Sequence, residues 1–314
     1  MRIRNAFKIS VGNYMLVFKN LLFKLLIFCA TALIAGAILR LQINDFITHI
    51  KSVLEEIKNI AVSVYNGNVD SSFSSLRSSL DGFYQYLSAN VGNFLGTGAI
   101  IFIGVFVYRY LGGMGDCAVM ISVNDYMTSM SRPHFTVTLV EHFGKIAVYQ
   151  LIDVLFTLVF DIITACVIIG VGALTLSFSV PLFVFLALSV WVCSRALRST
   201  VISQVMANIL IVGKTVKDGF SDGIVPPKGY FGKMFVGYLT VTLIYFYLLT
   251  SSAIITFGVG TVLLIPFFSL LYASMREVDY FTINKKKYFI DYDNIVVPKE
   301  LRENDENLLN NIDI

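Results

Sequence analysis

The chain predicts an all-α, polytopic membrane helix bundle of about six transmembrane helices, with an antiparallel coiled-coil hairpin between the first two on the extracytoplasmic side. Three observations carry this. The 314 residues are 56% apolar and only 14% charged, with a mean hydropathy of +0.74, against roughly a quarter charged in soluble domains. Long apolar stretches recur, and at about 20 residues per crossing they divide into six spans near Leu21–Leu39, Asn93–Tyr110, Ile146–Leu174, Val180–Val201, Met234–Ser252 and Ile254–Met275. Between the first two runs a double heptad stripe: Phe46, Ile50, Val53, Ile57, Ile60 and Val64, then, beyond Gly67, Phe73, Leu76, Leu80, Phe83 and Leu87.

Apolar steps alternating between three and four residues are the seam of a coiled coil. Tyr65–Ser72 is rich in Asn, Gly, Asp and Ser, the residues that turn a chain and cap a returning helix, so the two arms should zip antiparallel. The alternative is a pair of amphipathic helices lying flat on the membrane. The resulting organisation is an N-terminus and first span over 1–43, the hairpin over 44–92, five further spans with two amphipathic cytoplasmic connections over 93–275, and a C-terminal tail over 276–314. That tail includes a short β-hairpin in the segment YFIDYDNIVV.

Charge orients the chain. Residues 1–24 carry Arg2, Arg4, Lys8, Lys19 and Lys24 and no acid, whereas the hairpin segment 44–92 carries five acids against three bases. The connection from Arg195 to Lys233 has six bases against Asp218 and Asp222. Lys and Arg concentrate on the cytoplasmic side of membrane proteins, which places both termini in the cytoplasm and the hairpin outside it. The hairpin contains no N-x-S/T glycosylation acceptor, which favours a bacterial cytoplasmic membrane. The basic start runs directly into a long span and reads as a retained helix rather than a cleaved signal.

Polar residues inside spans are costly and mark either a pairing or a pathway. Gln150, Asp153, Thr157, Asp161 and Thr164 recur at helical spacing on one face of the third span. Counting outward from the turn between spans three and four sets Asp153 level with Arg198 and near Arg195, the expected ion-pair partners. The same count sets Asp161 opposite Trp191 and Cys193 with no basic neighbour, either as a structural acid held by Thr157 or Thr164 or as the start of a proton or cation site. Pro266 interrupts the sixth span and is a candidate hinge or a packing feature.

Catalysis is disfavoured. His49, His134 and His142 lack zinc-binding spacing, and Cys29, Cys117, Cys166 and Cys193 form no CxxC pair. No metal, cofactor or nucleic acid is expected. Membrane lipids are expected partners, as is a protein partner or a second copy engaged through the hairpin.

The basic start AFKISVGNYMLVFKNLLFKLLIF, the segment SRPHFTVTLVEHFGK before span three and VGKTVKDGFSDGI after span four resemble the placement of such segments in bacterial six-helix membrane proteins of the YciC-like and glycerophosphodiester phosphodiesterase membrane-domain groups. The resemblance implies a topology and no catalytic residue, and the long hairpin departs from it. Two roles follow: a scaffold or complex subunit that uses the hairpin, or a transporter or channel component for a small solute, ion or lipid that uses an intramembrane carboxylate.

Overall fold

The computed structural model describes residues 2–39, 51, 54–59, 77–82, 84–85, 88, 91–131, 134–175 and 179–298, and twelve elements have both ends among these described residues. In chain order they are α1 (Arg2–Gly12), α2 (Met15–Leu39), α3 (Val91–Ser129), α4 (Phe135–Glu141), α5 (Phe143–Thr175), α6 (Val180–Val201), α7 (Ser203–Leu210), α8 (Val216–Gly223), α9 (Phe231–Ile255) and α10 (Val259–Ile283), then β1 (Tyr288–Asp291) and β2 (Asn294–Val296). Among the described residues, six helical stretches are long and apolar enough to cross a membrane: α2, Gly96–Ser129 of α3, α5, Val180–Leu210 across α6 and α7, α9 and α10. The protein is an all-α, multi-pass membrane bundle. Its spans expose apolar side chains such as Leu26, Phe28, Leu33, Ile169, Leu174 and Ile254, which the hydrocarbon of a bilayer covers.

The seam residues Phe46, Ile50, Val53, Ile60, Val64, Phe73, Leu76, Phe83 and Leu87 lie outside the described residues. Ile57 and Leu80 fall within described helical residues and are half exposed.

The chain divides into two compact units, one from Leu26 to Arg109 and one that joins the residues up to Leu25 with those from Tyr110 onward. In the first, α2 and α3 pack through a T-shaped Phe28–Tyr108 ring contact at 6.0 Å. A Cβ on Gly104 would touch Ala35 at 3.8 Å, so the helices meet through small residues, as membrane helices commonly do.

The second unit holds the main core. In it α6 packs between α5 and α9, α9 also packs on α10, and the short α7 lies against α5, α8 and α10. Every residue of α7 is buried. The terminal elements close over this core. From α1, Arg2 pairs with Asp279 at 2.7 Å, Ser10 Oγ donates to Ser274 Oγ at 3.0 Å and Asn5 Nδ2 donates to the Tyr288 hydroxyl at 3.0 Å. Burial pushes the Tyr288 phenol up. The strand pair turns at Asp291, whose Oδ1 accepts from Asp293 N at 3.1 Å and Asn294 Nδ2 at 2.6 Å, an Asx turn.

The sequence reading ends the second span near Tyr110 and follows it with an amphipathic cytoplasmic connection. Instead α3 continues unbroken to Ser129, with Met114, Cys117, Ala118, Val119, Met120, Ile121, Val123 and Met127 buried. Two of the glycines are sites of close approach. A Cβ on Gly113 would lie 1.9 Å from Gln150 Nε2, and one on Gly115 would lie 2.6 Å from Asn20 Oδ1 and 2.8 Å from Phe23 Cδ1. Pro266 is buried within α10, which is one helix from end to end.

Candidate functional site

Helices α2, α3, α6, α7, α9 and α10 surround a cavity of about 170 Å³ whose lining includes Lys24, Asp116, Arg195, Arg198, Arg276 and Met206. Four cations and one carboxylate in a helix bundle are an expensive grouping, so the partner of each decides what the cavity can do.

Lys24 and Asp116 satisfy one another. Lys24 Nζ lies 2.7 Å from Asp116 Oδ1, and the same carboxylate accepts from Asn20 Nδ2 at 2.9 Å and from Ser269 Oγ. Asn20 and Lys24 are one turn apart, so one face of α2 delivers both donors. The helix continuation of α3 delivers the acid.

Arg195 is held by rings. Its guanidinium carbon lies 5.6 Å from the Trp191 ring centre and 5.5 Å from that of Tyr245, within the range of cation–π attraction. Trp191 is one turn earlier on α6, and Tyr245 comes from α9.

Arg198 and Arg276 are different. Arg276 Nη1 donates to the Met206 sulfur at 3.2 Å, and thioether sulfur is a weak acceptor. The Nε atoms of both arginines are buried and have no partner among the described residues. Such donors lose their hydration without replacement unless a further acceptor enters the cavity.

The polar stripe lies on α5. Gln150 is buried, fills the notch left by Gly113 and accepts from Cys117 Sγ at 3.4 Å. Thr164, also buried, donates to the Phe160 carbonyl at 2.7 Å and makes a short hydrogen bond with Ser194 of α6. Thr157 is half-buried on the same helix.

The two stripe acids depart from expectation. Asp153 accepts a hydrogen bond from the Tyr149 hydroxyl at 3.4 Å; it forms no ion pair with Arg198, although it stands within electrostatic range of Arg198 and Arg276. Tyr149 is one turn away on the same helix and reaches the carboxylate without crossing between helices. Asp161 has basic company after all: it is exposed and lines a second cavity of about 50 Å³ with Trp191, Arg195 and Arg198. Trp191, expected level with Asp161, lines the same cavity. Equal-depth counting missed Arg195, one turn further along the same face of α6, because a guanidinium can sit about one turn from its own Cα.

Cys29, Cys166 and Cys193 are exposed thiols and Cys117 is buried. Among the described residues no three His, Cys, Asp or Glu side chains gather at metal-binding distances.

Known protein-family models, characterised proteins and solved structures contain no match to this chain. The site therefore rests on its own chemistry. Three of its members were not singled out from sequence. Lys24 counted only toward orientation, Asp116 fell in the connection after the second expected span, and Arg276 fell just past the expected end of the last span. The available signal was a charge within two helical turns of each span boundary, which becomes informative once the helices are known to run on.

Proposed function

We propose that this protein binds an anionic group within its helix bundle, as a transporter or channel component for an anionic small solute or lipid. The observation that carries this is the pair Arg198 and Arg276: two guanidinium groups from different helices that line one cavity, each with a buried Nε lacking a partner. An anion's oxygens would satisfy both by charge-assisted hydrogen bonds. The site is cation-rich, which turns the expectation of a proton or cation site at Asp161 toward an anion site beside it. Lys and Arg density supports a bacterial plasma-membrane orientation with both termini in the cytoplasm. The resemblance to six-helix bacterial membrane proteins is consistent with that topology.

The test is native mass spectrometry of the protein released from nanodiscs. Wild-type protein should carry a retained anionic species. Arg276→Gln should reduce its occupancy at least tenfold, since loss of one partner of a buried charge pair costs about 2–5 kcal/mol; Arg276→Lys should keep part of it. Wild-type protein without any such species, or equal retention by Arg276→Gln, overturns the proposal.

The second reading is a membrane scaffold or complex subunit whose extracytoplasmic hairpin engages a partner or a second copy. It is supported by the heptad stripes and by Ile57 and Leu80, seam residues that remain 50% and 47% exposed and so keep apolar surface for another chain. Asn at both Val53 and Leu80 should abolish co-recovery of that chain while membrane insertion is unchanged. Undiminished recovery would exclude a role for the seam.

A further inference from the structure

We propose that the anion of this cavity is a phosphodiester of single negative charge, presented by a membrane phospholipid whose phosphate sits between Arg198 and Arg276. The inference rests on the anion site proposed above and specifies its ligand.

Charge comes first. The cations Lys24, Arg195, Arg198 and Arg276 line the cavity, and the carboxylates in it or within electrostatic range of its arginines are Asp116, Asp153 and Asp161. One positive charge is left over, which balances a monoanion. A dianionic phosphomonoester would leave a net negative charge in a low-dielectric site.

The donors also discriminate. The cation closest to neutralised is the lysine, bound to Asp116. The lining residues whose buried nitrogen lacks a partner among the described residues are both arginines, whose planar fork matches two oxygens of one phosphate.

Size and depth then point to a lipid. A cavity of about 170 Å³ is below the roughly 300–1,000 Å³ that encloses a whole small-molecule ligand; it takes a headgroup phosphate and its nearest atoms. Trp191, Tyr245 and Tyr272 surround the basic group. Amphipathic rings of this kind concentrate at the level of lipid headgroups. On α10 the cavity is bordered by Ile265, which is exposed together with Val262 and Leu263. The rim thus continues into an apolar helix face that a bilayer covers, where acyl chains would lie.

Free phosphate offers related chemistry, so the experiment separates the two sources. Delipidated full-length protein in detergent is titrated, by native mass spectrometry, with phosphatidylglycerol (a phosphodiester), phosphatidic acid (a phosphomonoester), phosphatidylcholine and inorganic phosphate. Phosphatidylglycerol should be retained at least tenfold better than phosphatidylcholine, whose own cation meets the basic lining, and better than phosphatidic acid. Excess inorganic phosphate should not displace it. Arg198→Gln and Arg276→Gln should each lower phosphatidylglycerol retention tenfold or more, Arg276→Lys should restore part of it, and Lys214→Gln, at an exposed cation paired with Asp222, should leave it unchanged.

Preference for phosphatidic acid, or displacement by inorganic phosphate, overturns the phosphodiester lipid and leaves the anion site standing. An equal loss with Lys214→Gln reduces the binding to surface charge and overturns the proposal. Failure of all four compounds to bind wild-type protein removes the anion site itself.

Discussion

Asp116→Ala is expected to destabilise the protein by about 3 kcal/mol, because it strands the Lys24 ammonium among helices. The pair is made at 2.7 Å, and the side chains are 16% exposed for Lys24 and 38% for Asp116. Breaking a buried pair by removing one partner typically costs about 3–5 kcal/mol; the partial accessibility of Asp116 puts this pair at the lower end. Asn20 and Ser269 lose their acceptor in the same step. The informative comparison is the double variant Lys24→Met with Asp116→Leu, in which no charge is stranded. Thermal unfolding in one detergent should show the double variant well above Asp116→Ala in stability. If the double variant were as unstable as Asp116→Ala, the loss would come from packing and the pairing argument would fail.

Gly223→Ala is the second large effect. A Cβ at this position in α8 would lie 2.7 Å from Val205 Cα and 2.8 Å from Val205 N. These are backbone atoms of α7, whose eight residues are all buried, so neither helix can yield by a rotamer change. Overpacking of this kind costs about 1–3 kcal/mol, and the upper end, with a fall of about 5 °C or more in midpoint, is expected here. Gly219→Ala on the same helix meets Ile209 Cγ1 at 2.4 Å, a side-chain atom that can move. It should therefore cost less. A Gly223→Ala midpoint within a degree of wild type would mean that α7 and α8 separate easily.

The fold class was legible because lipid solvation leaves a compositional mark: six apolar segments with few charges can be satisfied only by membrane-spanning helices that close their own backbone hydrogen bonds. The polar stripe of α5 was legible for a similar reason, since Gln150, Asp153, Thr157, Asp161 and Thr164 repeat at helical spacing in an otherwise apolar run. Segment ends were not. Glycine at 112, 113 and 115 carries the same sequence signal whether it opens a loop or admits a neighbouring side chain. Only the positions of Gln150, Asn20 and Phe23 show which applies. Because α3 and α10 run on past Tyr110 and Met275, Asp116 and Arg276 join the site although the sequence reading had placed both beyond the spans.

The sequence by itself determined that this is a multi-pass helical membrane protein and which face of its third span is polar, because hydropathy and helical period are local properties of the chain. Tertiary structure decided the partners of each charge: Lys24 with Asp116, Arg195 with two aromatic rings, and Arg198 with Arg276 around a shared cavity. Those pairings join residues up to 92 positions apart, most of them on separate helices. Which of them meet depends on how the helices pack, and no local pattern in the chain encodes that.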